Sequence, residues 1–467
     1  MSSLSLKKIK NTLIGDKNFY SKVFIILIPM IVQNTVTNVV SLLDNVMVGR
    51  VGTIQMSAVA VVNQLLFVFA LCIFGGLAGA GIFSAQFAGA KDDDGMRYCF
   101  RMKCYVGILM LILAFVIFLL FPDKLISAYL AEGTSYEDAA ATLYYGKQYL
   151  FIMLIGLIPF ALSQIYSSTL RELGETKLPM IATVIAIITN LIFNYLLIFG
   201  KLGFPKLGVA GAAVATVLSR YVEALIIMIF THTKAKRFTF VKGVYASPKI
   251  PADLSKKIIR SGFPLLINEF LWSLSMAMLL QCYSVRGLHV VAASNIAGTA
   301  ANLFNVAFIS MGGALSIMLG QALGAGNNEK AKDMVWKLIS LSVFLSIIMG
   351  SLLAILSKAF PLMYNTESDV RHIATYFLLI LALIMPVNAF SHCCYFIMRS
   401  GGRTIITFLF DSVIMWGVNI PVAFALSSHT NLNIVTVYLL VQSLDIIKCI
   451  LGFILVKKGI WIRNIVK

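Results

Sequence analysis

Long runs of apolar residues recur along the whole chain, each closed by a short polar or basic stretch. A helix needs about 20 apolar residues to cross the roughly 30 Å of hydrocarbon in a bilayer. Twelve runs are read as membrane-spanning helices, at 23–48, 55–86, 98–121, 142–169, 178–199, 208–230, 256–284, 290–322, 334–359, 371–398, 404–427 and 432–456. Lipid offers the backbone no hydrogen bonds, so such a chain folds as a bundle of helices. The expected class is an all-α polytopic membrane protein. Of the 467 residues, 59% are hydrophobic, more apolar surface than the roughly three soluble domains of this length would bury.

The net charge of +18 raises the question of a nucleic-acid partner, and the placement of the charges answers it in the negative. About 27 Lys and Arg fall on one side of the predicted helices and about 7 on the other. The basic side is the inner one, so both termini are expected in the cytoplasm and the protein in the cell (inner) membrane. Residues 1–22 carry no small-residue cleavage site and read as a basic amphipathic lead on the inner surface. A preference for Lys and Ile over Arg points to a bacterium with an AT-rich genome. The seven cysteines lie in or beside apolar runs without paired loop spacing, which argues against a disulfide framework and a zinc site.

The chain reads as two copies of one unit. "IPMIVQN" with Pro29 and "FPLLINE" with Pro264 are related by a shift of 235. The same shift lays "AQFAGAKDD" on "GQALGAGNN", matching Gln86 with Gln321 and Gly89 with Gly324. "LRELGETK" and "MRSGGRTI" match at a shift of 228. Six helices per copy give a parallel repeat, with a cavity expected between the halves. The expected organisation is a lead at 1–22, an N-lobe of helices 1–6 at 23–230, a linker at 231–255, a C-lobe of helices 7–12 at 256–456 and a cytoplasmic tail at 457–467.

Polar residues inside the spans are the candidate functional groups, because charge at membrane depth is costly and rarely idle. The first span carries Gln33, Thr37, Ser41 and Asp44 at steps of 4, 4 and 3, beside Asn34, Asn38 and Asn45. The fifth sets Asn190 and Asn194 one turn apart, with Thr183 extending the stripe. Carboxylate, amide and hydroxyl oxygens suit a hard cation, so Asp44, Asn190 and Asn194 are candidate ligands, for Na+ if sodium is the ion. Interhelical hydrogen bonding is the competing role for each Asn. The second half offers Glu269 and Asp411, with Asn295 and Asn302 on the eighth span. Arg220 with Glu223, and Asp445 with Lys448, stand at i,i+3 and are expected to neutralise each other. His392 is expected to be a satisfied buried histidine. Gln33, Trp272, Met276 and Met415 are candidates for a pocket that takes lipophilic cations.

Patterns for nucleotide or metal chemistry, such as GxxxxGK[ST] and HExxH, are not found in the sequence. "FGGLAGAG" (74–81) sits inside a helix and reads as close packing. No enzyme and no cofactor are expected.

"LLDNVMVGRVG", "MSAVAV", "SAQFAGAKD", "NLIFNYLLIFG…PKLGVAGAAVAT" and "GFPLLINEF…AASNIAG…LGQALGAGN" together resemble the multidrug and toxic compound extrusion (MATE) family over nearly the whole chain. The resemblance implies two six-helix lobes with alternating access. It also implies export of organic cations and lipophilic drugs or metabolites in exchange for Na+ or H+. Carried over by motif, it implies a cation site at Asp44, Asn190, Asn194 and Thr216. Some members have a second acid where this chain has Asn194, which tilts the expectation toward Na+. A lipid-linked oligosaccharide flippase of the same wider superfamily is the alternative. Expected partners are small molecules and membrane lipids, with the chain a monomer.

Overall fold

The computed structural model describes residues 12–129 and 135–467, apart from the side chains of residues 42, 45 and 46. The described residues are helical, with no strand among them. Twelve helices are long and apolar enough to span a membrane. They are α1 (Lys17–Gly49), α2 (Thr53–Ala90), α3 (Asp93–Leu120), α4 (Tyr136–Glu172), α5 (Lys177–Phe199) and α6 (Val209–Thr233) in the first half. The second half holds α7 (Ala252–Ser284), α8 (Leu288–Phe304 and Val306–Gly324), α9 (Asn328–Leu356), α10 (Ser368–Ser400), α11 (Thr404–His429) and α12 (Ile434–Lys457). Of the amphipathic lead expected at 1–22, residues 1–11 lie outside the described residues, and the rest runs into α1 from Lys17.

Three helices depart from the regular spans expected. α8 is interrupted at Asn305, so the predicted span 290–322 is two helical segments. α11 winds into π-turns at Leu409–Val413 and Met415–Asn419. α12 breaks at Leu444, where Ile447 N bonds Leu444 O in an i to i+3 step. Hydropathy reports that a segment is apolar, not that its ladder is continuous. Such irregularities are tolerated at membrane depth only where protein re-satisfies the backbone.

The chain groups into two compact units by contact. One comprises Met1–Ile31, Ala85–Asp92 and Ile258–Lys467, the other Val32–Ser84 and Asp93–Lys257. The division follows packing rather than chain order, and it runs through α1 and α2. In the first unit, Val23, Leu27 and Met30 of α1 pack with Met311, Leu315 and Leu338 in one buried apolar cluster.

In that same unit the two copies of the repeated motif cross each other. A Cβ on Gly89 would stand 2.0 Å from the Gln321 carbonyl oxygen, and one on Gly324 would stand 1.8 Å from that of Gln86. Glycine is required at both positions because the backbones touch, and the contact is reciprocal. The C-terminal residues then cover the crossing. Asn464 Nδ2 donates to Leu323 O (2.9 Å) and Gly324 O (3.2 Å), and Ile465 N donates to Gln86 Oε1 (2.9 Å). Gln86 Nε2 donates in turn to Ser400 O (3.1 Å) and Arg463 O (3.0 Å), and Trp461 is buried. Gly298, by contrast, has open space around it. Gly89→Val and Gly324→Val should each lower the thermal unfolding midpoint in detergent, at a cost of about 3 kcal/mol or more from overpacking. Gly298→Ala should leave that midpoint in place.

Candidate functional site

Asp44 stands near the end of α1, and α5 supplies its partners. Asn194 Nδ2 donates to Asp44 Oδ1 at 2.7 Å and to Asn190 Oδ1 at 3.0 Å. Asn190 Nδ2 donates to Thr216 Oγ1 on α6 at 3.3 Å. The α5–α6 approach is possible because α6 opens with small residues: a Cβ on Gly211 would lie 2.5 Å from the Leu197 carbonyl oxygen. Asn190 and Asn194 are buried, and Asn194 Oδ1 has no hydrogen-bond partner among the described residues. Asp44, Asn190, Asn194 and Thr216 are thus brought together, and oxygen atoms dominate the cluster. Such a donor set suits a small hard cation, and the orphaned amide oxygen beside a carboxylate is a position where one would be received. Tyr149 lies close by, its hydroxyl donating to Asn63 Oδ1 at 3.2 Å.

The rest of the polar face of α1 is used differently. Thr37 and Ser41 donate to the carbonyls of Gln33 (2.9 Å) and Thr37 (3.0 Å) in their own helix, a back-bond that spares them a partner. Asn45 lies outside the described side chains. Thr183 does not join Asp44. Instead Gln33 Nε2 donates to Thr183 Oγ1 (2.7 Å), Thr183 donates to Glu223 Oε1 (2.6 Å), and Arg171 Nη2 donates to Gln33 Oε1 (3.0 Å). Gln33 is therefore buried with both ends of its amide engaged. Arg220 and Glu223 make no close pair of the kind their spacing suggests. Glu223 turns to Thr183, while Arg220 lies over the Phe160 ring at 5.1 Å and donates to Gly156 O.

The second half repeats this arrangement. Asn268 follows Gln33 by the repeat shift of 235, and it too takes a hydroxyl from the fifth helix of its half: Ser412 Oγ donates to Asn268 Oδ1 at 2.7 Å. Arg399 follows Arg171 by the shift of 228 and stands 3.9 Å from Glu269, which also accepts from Tyr395 at 3.3 Å. Asn268 Nδ2 donates to Asp411 Oδ2 at 3.1 Å. The expected Asp445–Lys448 pair exists at 3.7 Å, but Lys448 lies closer to Asp411, at 2.9 Å. Asn268, Ser412 and Arg399 do not stand out by residue type alone; the repeat shifts carry the signal for Asn268 and Arg399, and neither shift reaches Ser412. Asn295 and Asn302 lie on the exposed side of α8. Trp272 and Met276 are exposed and Met415 is buried. His392 packs edge-on to Phe308 and Phe396, and its Nε2 has no hydrogen-bond partner among the described residues, so the expectation of a satisfied ring fails at that atom.

The family model described as MatE matches residues 29–196 and 264–425. The chain belongs to the MatE family. Relatives of this MatE protein include "Probable multidrug resistance protein YoeA" of Bacillus subtilis, 28% identical over 426 residues that cover 88% of each chain. "Probable multidrug resistance protein NorM" of Thermotoga maritima is 26% identical over 439 residues, covering 94% of this chain and 92% of that one. An outward-facing multidrug resistance MATE family transporter of the MOP superfamily shares the fold, with a TM-score of 0.83 at 19% identity over 97% of both chains. So does a mutant of the Vibrio cholerae MATE transporter VcmN, with a TM-score of 0.85 at 16% identity over 97% of this chain and 99% of that one. The MatE family is one of multidrug transporters, so the chain is a membrane transporter and not an enzyme.

The MatE chain also buries a lysine completely. Lys103 donates to Glu172 (2.6 Å), Ser168 and Thr169 (3.0 Å each) and is wholly shielded from solvent. Lys103→Met should destabilise the protein by about 3–5 kcal/mol, because it removes the cation beside the largely shielded Glu172 carboxylate. Lys103→Met with Glu172→Gln should recover part of that loss in the same thermal-unfolding measurement.

Proposed function

We propose that the protein is a secondary active exporter that moves lipophilic or cationic organic compounds outward against inward Na+ or H+, by alternating access. The observation that carries this reading is the cluster at Asp44. A membrane-depth carboxylate there has one amide donor at 2.7 Å, with Asn190 and Thr216 behind it. In this reading Asp44 takes up the cation from outside, and the oxygens of Asn190, Asn194 and Thr216 complete its shell. Binding removes the charge of Asp44 and so favours one conformation over the other. Coupling requires that cation and drug prefer different conformations, since equal affinity for both shifts nothing. Each inward charge contributes about 2.3 kcal/mol per 100 mV of membrane potential, which supports a drug gradient of up to tens-fold.

The names of the relatives, multidrug resistance proteins in two bacteria, support the substrate class. The charge distribution of the loops supports cytoplasmic termini and a bacterial inner membrane. The chain works in this reading as a monomer among lipids. A flippase for lipid-linked oligosaccharides is disfavoured, since a pyrophosphate head group calls for unpaired cations. Lys103 and Lys448 instead stand against carboxylates, and Arg220 and Arg171 are held by a ring face and by Gln33.

Asp44→Asn should cut ethidium efflux from proteoliposomes under an imposed Na+ or pH gradient on the order of tenfold or more, while passive ethidium binding persists. Efflux at the wild-type rate would remove Asp44 from the coupling role. Asn194→Asp adds a second acid beside the first. Like charges that close cannot both ionise, so the variant should depend more on the pH gradient and less on Na+ than the wild type.

A further inference from the structure

In the compact unit formed mainly by the second half, Glu269, Asp411 and Asp445 stand on α7, α11 and α12 close to two basic side chains, Arg399 and Lys448. Arg399 faces Glu269. One lysine therefore serves two acids, at 2.9 Å from Asp411 and 3.7 Å from Asp445. Asp411 is well provided, since Asn268 donates to its other oxygen. Asp445 is not. Its second contact is Asn419 Nδ2 at the long distance of 3.4 Å. Asn419 is 3% exposed, and its Oδ1 has no hydrogen-bond partner among the described residues.

The helix irregularities coincide with these same residues. The first π-turn of α11 contains Asp411, the second ends on Asn419, and the break in α12 at Leu444 immediately precedes Asp445. π-turns and interrupted membrane helices are features of functional positions. The break also sets Asp445 in the first turn of a new helical segment, where the backbone dipole favours an anion. Carboxylate and amide thus meet through a long N–H bond, beside one lysine that is shared between two acids.

We propose that Asp445 and Asn419 form a proton-binding site of this transporter, distinct from the cluster at Asp44, with Lys448 moving between Asp411 and Asp445 as the site fills and empties. The bond formed is an O–H on the Asp445 carboxyl, and the proton comes from and returns to water. Turning the Asn419 amide over exchanges its two nearly isosteric ends and brings Oδ1 to where Nδ2 now lies, ready to accept from the protonated acid. Lys448 then has Asp411 as its sole anionic partner. When the proton leaves, Asp445 regains its charge and competes for the ammonium. A metal ion fits less well, because the Lys448 ammonium repels it and the neutral oxygens at hand are few. The other ionisable groups acting on Asp445 are Asp411, Tyr283 and Cys449, and those acting on Asp411 include Glu269 and His392. The use of this proton in transport rests on the export reading above; its binding does not.

Infrared difference spectra of the purified protein between acid and alkaline buffer test the site without transport. Among the carbonyl bands of its protonated carboxylic acids, the wild type should show one that belongs to Asp445. Asp445→Asn should lose that band, and Asn419→Leu should keep it at a higher frequency because its acceptor is gone. Asp44→Asn should retain it. An unchanged spectrum in Asp445→Asn overturns the proposal. If Asp445→Asn does not fold, an unshifted band in Asn419→Leu overturns it equally. Loss of the band in Asp44→Asn alone also overturns it and leaves the Asp44 reading intact. Normal efflux by Asp44→Asn together with loss of the band in Asp445→Asn has the opposite meaning: the Asp445 site stands and the Asp44 role falls.

Discussion

A polar side chain in the middle of a bilayer-spanning helix can bond only to its own backbone, to another helix or to water in a cavity. The rest of this structure depends on how that constraint is met. In each half, an amide on the first helix is tied to a hydroxyl on the fifth, Gln33 to Thr183 and Asn268 to Ser412. Each tie fixes the rotation of two helices at once, because turning either by one residue would swing its partner out of reach. Pro29 and Pro264 lie a turn before these amides. Both halves thus set their first helix by the same pair of devices, a proline followed by an anchored amide.

Around this shared frame the two halves have taken different charges. The first half keeps Asp44 with one direct neutral partner, Asn194, and two more of its carboxylates have their own donors: Glu223 has Thr183, and Glu172 has Lys103. The second half has Leu279 at the position that the repeat shift assigns to Asp44. Its acids lie instead on α7, α11 and α12, where Lys448 and Arg399 face them. The same scaffold therefore presents a lightly ligated acid in one half and a charge-dense network in the other. The difference lies in side chains and in local helix winding, not in topology.

Much of this was legible in the sequence, for physical reasons that can be named. Spans were visible because hydrocarbon demands continuous apolar runs, so most helix ends fell within a few residues of those observed. The repeat was visible because glycine at positions 89 and 324 is dictated by backbone contact, which tolerates no substitute. The Asp44–Asn190–Asn194 cluster was visible because an acid and two amides at helical spacing cannot face lipid. Other features were hidden for equally definite reasons. The breaks at Asn305 and Leu444 and the π-turns of α11 arise from tertiary partners and leave hydropathy unchanged. Residue spacing on one helix does not decide pairing. Arg220 and Glu223 are neighbours on α6, yet each meets something on another helix, and Lys448 finds Asp411 across a helix boundary that residue spacing does not report. Asn268 is a neutral amide next to an acid, and residue type alone gives it no more weight than any other interhelical amide.

The crossing of Gly89 with Gln321 and of Gly324 with Gln86 has a consequence in time. Its two strands of chain are 235 residues apart in sequence. At roughly 5–20 residues per second, the C-terminal end of α2 is made on the order of 10–50 s before the segment it closes against. Through that interval Gln86, which ends wholly buried, has neither Arg463 nor Ile465 to bond. Asn464 and Ile465, which cover the seam, are synthesised later still. The seam therefore closes late, and the first half enters the membrane with one helix end still waiting for its copy.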